Sequence, residues 1–162
     1  MTGLTHIDDK GRVRMVDVTP KKPTERTALA GGTISMNPET FDAIQNHRVK
    51  KGNVLETARI AGIMAAKKTA ELIPMCHPLN ITHIQIDFSP DAANSRMGIE
   101  AIVRAIDQTG VEMEAFTAVS VAALTLYDMC KSIDKEMTIS NIQLLKKTGG
   151  KSGTYVRKEK KT

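Results

Sequence analysis

The chain has 162 residues, enough for one domain with its own core, with 41% hydrophobic and 25% charged residues in a globular balance. Aromatics make up only 3% and Trp is absent, which excludes a base-stacking surface for single-stranded nucleic acid and leaves a core of Ile, Val, Leu, Ala and nine Met. The formal net charge of +5 favours an anionic ligand such as a phosphate or nucleotide.

Residues 1–25 are polar and punctuated by Thr19-Pro20-Lys21-Lys22-Pro23, and read as a partly mobile arm with a short strand at Val13–Val18. The run from Thr27 to Met36 reads as a strand, with Gly31-Gly32 marking a bulge or a close backbone approach. Asn37 is a candidate cap and Pro38 suits the first helical position, so a short helix is expected to end near Asn46–His47. After the basic loop His47–Gly52, Asn53 with Glu56 three residues on announces a second helix. Val54, Ala58, Ala61, Met64 and Ala65 give it a buried stripe through about Ile73, where Pro74 stops it. Thr82 to Phe88 alternates, with Ile84, Ile86 and Phe88 on one face, as a half-buried strand does. A turn over Ser89–Ser95 leads to a second strand, Arg96 to Asp107, with Ile99, Ala101, Val103 and Ala105 on one face. Ala115 to Lys131 is a strong helix, and Met137 to Lys146 closes the domain as a strand.

This order, β, α split in two, β, β, α, β, is the ferredoxin-like α+β arrangement: βαββαβ, one antiparallel sheet with helices on one face. A single domain over 26–154 accounts for it. Arg157, Lys158, Lys160 and Lys161 crowd the end of the chain, so 155–162 reads as a disordered basic tail. Cys76 and Cys130 have no paired spacing, which fits a reducing cytoplasm and no disulfide framework. The N-terminus lacks an apolar signal core, and no stretch approaches the ~20 apolar residues of a bilayer span, so no membrane partner is expected.

Four segments could carry chemistry. In Pro74-Met75-Cys76-His77-Pro78, two prolines pin a short loop. Adjacent Cys and His make poor metal spacing. Either Cys76 is a core-facing thiol beside a hydrogen-bonded His77, or His77 is held as a ligand donor or proton-transfer group. In Gly110-Val111-Glu112-Met113-Glu114, the two carboxylates either serve the helix dipole or hold donors on a heterocycle edge. In Tyr127-Asp128-Met129-Cys130-Lys131, Asp128 and Lys131 are i, i+3 neighbours, either a surface ion pair or an acid/base pair whose pKa values burial would perturb. Lys146 to Gly153 is either a Gly-rich tail or a phosphate cradle. It is not a Walker A loop, because Leu145 stands where that motif needs Gly. Lys51 and Arg59 add cationic groups.

Glu114 and Asp128 lie fourteen residues apart on one predicted helix, about 21 Å. One small substrate does not easily reach both in a single chain. Either one end alone is catalytic, or two subunits contribute opposite helix ends.

Taken together, Gly52-Asn53-Val54 through Ala58-Arg59-Ile60-Ala61-Gly62-Ile63, Ile73 to Leu79, Thr109 to Ala115, Tyr127 to Lys131, Gly149 to Gly153, and Met15-Val16-Asp17-Val18 closely resemble the cyclic pyranopterin monophosphate synthases, the MoaC family. The resemblance spans roughly residues 4–154. It implies a ferredoxin-like lyase of molybdenum-cofactor biosynthesis, without metal or redox cofactor. Such an enzyme converts 3′,8-cyclo-7,8-dihydro-GTP to cyclic pyranopterin monophosphate and releases diphosphate. It also implies a homo-oligomer, a hexamer built as a trimer of dimers with active sites between subunits, and a small nucleotide-derived substrate rather than nucleic acid. By position, Asp128 resembles the family's catalytic acid/base, Lys131 its partner and Lys51 the other essential lysine. Met75, Cys76 and His77 would line the pocket, with Glu112, Met113 and Glu114 at the base and Lys147 and Lys151 at the phosphates. Asn53 stands where Asp is common, and caps a helix equally well. A non-catalytic nucleotide-binding regulatory domain is the alternative.

Overall fold

The computed structural model describes residues 6–8 and 10–158. The elements run β1 (Thr24–Ser35), α1 (Pro38–Gln45), α2 (Val54–Ala66), α3 (Thr69–Leu72), β2 (Ile81–Asp91), β3 (Arg96–Asp107), α4 (Glu112–Cys130), β4 (Thr138–Thr148) and β5 (Tyr155–Val156). The strands form one sheet in the order β2-β3-β1-β4-β5, and every pairing is antiparallel. Its first four strands have the ferredoxin-like order and connectivity expected from the sequence pattern.

The period-two pattern fixes which sheet face is covered. Ala28, Ala30 and Ile34 of β1 and Met97, Ile99, Ala101, Val103 and Ala105 of β3 are fully buried beneath the helices. From α4, Ala115, Ala118, Val119, Ala122 and Leu126 close the core at helical spacing. Small residues let the helices sit close to one another and to the sheet. A side chain at Gly62 of α2 would meet Ala118 O of α4 at 2.8 Å and Ile86 Cδ1 of β2 at 2.5 Å. Gly31-Gly32 serves both roles read from the sequence. The β1–β4 register shifts between Gly31 and Thr33, and Val119 Cγ1 lies 2.8 Å from where a Gly32 side chain would begin. Pro90 is accommodated because β2 is an edge strand, paired only with β3.

Several local expectations are corrected. No strand forms over Val13–Val18; Val13 makes only an isolated bridge with Ile7. The second helix does not run to Ile73. It breaks after Ala66, where the buried Thr69 hydroxyl takes the Ala66 carbonyl at 3.0 Å and a short α3 follows. Asn37 makes no side-chain cap; its backbone N–H instead donates to the buried Asp134 carboxylate at 2.8 Å. Asn53 does cap α2, accepting from Glu56 N at 3.2 Å. The tail is not wholly loose, because Tyr155 and Val156 pair with Lys147 and Lys146 as β5, and Arg157 N donates to Leu145 O at 2.8 Å. Residues 159–162 lie outside the described residues. Finally, one stretch does have the length and apolarity of a membrane span, the 19-residue α4. It is the core helix, with its apolar side packed on the sheet and on α2.

Candidate active site

Helix α4 organises the chemistry by its two ends. At the N-terminal end, Glu112, Met113 and Glu114 form the first turn, three residues earlier than the sequence pattern suggests. They face the loop Met75-Cys76-His77, and together these six residues line a cavity of about 310 Å³. Glu114 is only 3% exposed. Burial, reinforced by the neighbouring Glu112 and Asp107 charges, pushes its carboxyl from the ordinary 4.5 up to about 7. Near neutral pH it is therefore present both as acid and as carboxylate, able to donate to or accept from a heterocycle. Cys76 is a thiol there, because burial and the nearby Glu114 raise its pKa. His77 Nε2 lies 2.8 Å from the Val16 carbonyl oxygen. A carbonyl only accepts, so Nε2 carries the hydrogen and Nδ1 is the ring's remaining polar atom.

A second cavity, about 820 Å³, adjoins the first, and Lys21, Thr109, Gly110 and Glu112 line both. Lys147 and Lys151 open onto it, as the phosphate-cradle reading expects, together with Lys21, Lys22 and Arg26. Gly150 has φ +75°, and the Arg26 guanidinium occupies the space a side chain there would need. The glycine loop thus folds directly over a cation that donates to the carbonyls of Asp107 and Gln108, each at 3.2 Å. Lys147 Nζ is hydrogen-bonded to the Ser152 hydroxyl, which ties the end of β4 to that loop. Lys21, Lys22 and Arg26 are absent from the sequence-based candidates. The signal was the Lys21-Lys22 pair held between Pro20 and Pro23, legible only as a punctuated arm.

At the C-terminal end of α4, Asp128 accepts from Lys131 Nζ at 2.6 Å. Lys51, from the loop between α1 and α2, donates to the Asp128 backbone carbonyl at 2.8 Å, and its Nζ lies 3.6 Å from the carboxylate. Lys51 thereby caps a helix terminus whose dipole favours a cation. The sequence pattern pairs Asp128 with Lys131 and expects burial to perturb both, and here the structure differs; Lys51, grouped by sequence only with Arg59 as a cation, lies at the same helix end. The Asp128 side chain is 60% exposed and that of Lys131 is 52% exposed. The Lys131 and Lys51 cations hold the Asp128 carboxyl below its usual value, and Asp128 holds the Lys131 ammonium above its own. The pair is driven apart in pKa rather than together, as solvent-exposed opposite charges are. Arg59 joins neither group. It is 3.2 Å from Glu56, 3.8 Å from Asp87, and lies over the Phe88 ring at 5.2 Å from its centroid.

The sequence profile of the MoaC family matches residues 15–150, a span that holds both ends of α4 and most of the lining of both cavities. The chain belongs to the MoaC family. Its relatives include the cyclic pyranopterin monophosphate synthase of Desulforapulum autotrophicum, 64% identical over 96% of this chain and 96% of that one. The synthase of Desulfatibacillum aliphaticivorans is 62% identical over 96% and 98% of the two chains. That of Pelotomaculum thermopropionicum is 58% identical over 98% and 93%. The matched stretches cover 96%, 98% and 93% of these three relatives, each named for the same reaction.

Proposed function

We propose that this chain is a lyase of molybdenum-cofactor biosynthesis, converting 3′,8-cyclo-7,8-dihydro-GTP to cyclic pyranopterin monophosphate with release of diphosphate. The observation that carries the reading is the pair of joined cavities. One is walled by a titratable carboxyl, a thiol and an imidazole, and the other is rimmed by Lys21, Lys22, Arg26, Lys147 and Lys151. A ligand with a heterocycle at one end and a phosphate chain at the other matches that division. The names of the relatives give the reaction class.

In this reading Glu114 and Glu112 hold donors on the purine-derived ring, Met75, Cys76 and Met113 wall it, and the cations take the triphosphate. Asp128 and Lys131 shuttle protons as the imidazole ring opens and the pterin is rebuilt, with Lys51 holding the helix end beside them. A ribose-derived hydroxyl then attacks phosphorus, and the lysines stabilise the departing diphosphate. Asp128 is exposed in a single chain, and both cavities lie at the other end of α4, about 21 Å away for fourteen helical residues. We therefore assign each active site to two copies, one giving the Glu114 end and the other the Asp128 end, within a hexamer built as a trimer of dimers. Covering Asp128 and Lys131 with a second copy and substrate would add desolvation, which disfavours both charged forms and brings their pKa values closer. Two free cysteines favour the cytoplasm as the compartment.

The test is turnover of enzymatically prepared cyclic dihydro-GTP with a chelator present. Pterin product and diphosphate from the wild type, absent with Asp128→Asn and Lys51→Ala, are expected. Saturable nucleotide binding without product, indifferent to both substitutions, would favour the regulatory-domain reading instead.

A further inference from the structure

Two carboxylates are buried among the described residues, Glu114 and Asp134, and the proposed chemistry uses only the first. Asp134 is 3% exposed in the turn that follows α4. Local bonds fix that turn. Ile133 N and Asp134 N both donate to Cys130 O, at 2.9 and 3.1 Å, and the Tyr127 hydroxyl donates to Lys135 O at 3.2 Å. The Asp134 carboxylate then reaches in two directions. One oxygen accepts from Glu136 N at 2.9 Å, inside the turn. The other accepts from Asn37 N at 2.8 Å, 97 residues away and immediately ahead of Pro38, the first residue of α1. The Asn37 side chain makes no cap. Asp134 thus does from a distance what a capping-box acid does within one helix, and its charge stands at the favourable end of the α1 dipole.

What α1 carries forward is Lys51. Phe41 and Ile44 pack the helix on the core. Beyond it His47 turns the chain with φ +53°, Arg48 N returns to Ala43 O at 2.8 Å, and Gly52 N donates to Val49 O at 3.1 Å. Lys51 lies in that last turn, with Nζ on the Asp128 carbonyl. Among the described residues, two side chains join segment 37–52 to segment 127–137 by polar contact: Asp134 at the start of the first segment and Lys51 near its end. We propose that Asp134 is a positioning residue for the Asp128–Lys131–Lys51 group: by holding the start of α1 against the end of α4, it sets the reach of Lys51 to Asp128. The proposal rests on the reading of that group as the proton-transfer group, but its first readout needs no turnover. Asp128 faces Lys131 from its own helix end and Lys51 from the loop between α1 and α2, and both cations lower its carboxyl pKa. A displaced Lys51 no longer does so, and Asp128 then titrates nearer its ordinary value while Lys131 keeps its pair. Misplacing a cation beside a proton-transfer pair falls on the chemical step rather than on substrate binding.

Two variants separate this role from a general loss of packing. Asp134→Asn keeps the shape but has one acceptor oxygen, so one of the two N–H groups loses its partner. Asp134→Ser still reaches Glu136 N within the turn but not Asn37, which confines the loss to the long-range contact. The experiment follows the carboxyl carbon resonance of Asp128 through an acid titration of the folded full-length protein, for wild type and both variants, each also combined with Lys51→Ala. KM and kcat on the cyclic dihydro-GTP substrate follow for the proteins that retain Lys51. The Asp128 midpoint is expected to rise in both variants, further with Asp134→Ser, and to show no additional rise when Lys51→Ala is already present. With Asp134→Ser, kcat is expected to fall roughly tenfold with KM within about twofold. An unmoved midpoint in a folded variant, or the same rise with and without Lys51, would overturn the proposal. So would an unchanged kcat in a variant whose midpoint has risen. If Asp134→Ser does not fold, Asp134→Asn decides by the same criteria. Should the wild type turn nothing over, the reaction reading fails while the titration comparison still decides whether Asp134 places Lys51.

Discussion

The two ends of α4 hold carboxylates in opposite physical states. Glu114 is buried at the N-terminus, and desolvation lifts its carboxyl to about 7. Asp128 is exposed at the C-terminus, and two lysines hold it below its usual value. A helix dipole should favour the first as an anion and penalise the second. Burial outweighs it at Glu114, and direct ion pairing outweighs it at Asp128. The smaller cavity is assembled within one chain, whereas the Asp128–Lys131–Lys51 group stands in solvent; in the proposed shared site a second copy would supply the desolvation that proton transfer between Asp and Lys needs.

The largest effect expected from that contrast is catalytic and local to the exposed end. Asp128→Asn should lower kcat by about 10³-fold or more while leaving Tm within about 2 °C, because an exposed ion pair adds little to stability. Steady-state kinetics beside a thermal melt checks both halves, and a large fall in Tm would mean that Asp128 is structural. The middle of α4 should respond in the reverse sense. Gly62→Ala puts a methyl against Ala118 O and Ile86 Cδ1, prising α2 from α4, and should cost about 2–3 kcal/mol by urea unfolding.

The buried end gives the smaller, pH-dependent effect. The folded-state pKa of Glu114 lies above its ordinary 4.5, so the native state keeps the proton longer than the unfolded chain. Stability is therefore lost as pH rises from about 4.5 to 7, and the penalty is complete above that. Glu114→Gln should be stabilising by on the order of 1–2 kcal/mol at pH 8, with the gain vanishing near pH 4, and should lower kcat/KM by about 10². Unfolding curves at the two pH values read the difference; a gain that is the same at both would contradict the buried-carboxyl account.

How much of this was legible in the sequence depends on how local the cause is. The alternation of Ile99, Ala101, Val103 and Ala105 fixes one sheet face, and all four are fully buried. The i, i+3 spacing of Asp128 and Lys131 fixes their ion pair. The break after Ala66 was not legible, because it turns on a hydroxyl of Thr69 that is buried by tertiary packing. Nor was the exposure of Asp128 legible: the preceding run Ala118 to Leu124 is almost wholly apolar, but Asp128 lies one turn on from the exposed Leu124 on the outer face of α4, while Leu126, Met129 and Cys130 stay in the core. Lys21 and Arg26 come to the larger cavity through tertiary packing and sheet pairing, which no spacing along the arm records.

The division of one active site between two copies is tested most directly by mixing two defective proteins. Asp128→Asn and Glu114→Gln chains are co-assembled from unfolded subunits, and turnover is compared with each parent reassembled alone. If opposite helix ends meet between copies, mixed pairs regenerate one intact site of two, and activity should recover to roughly a quarter of wild type. Activity no higher than the average of the two parents, in assemblies proven to be mixed, would contradict the shared site and return the chemistry to one end of a single chain.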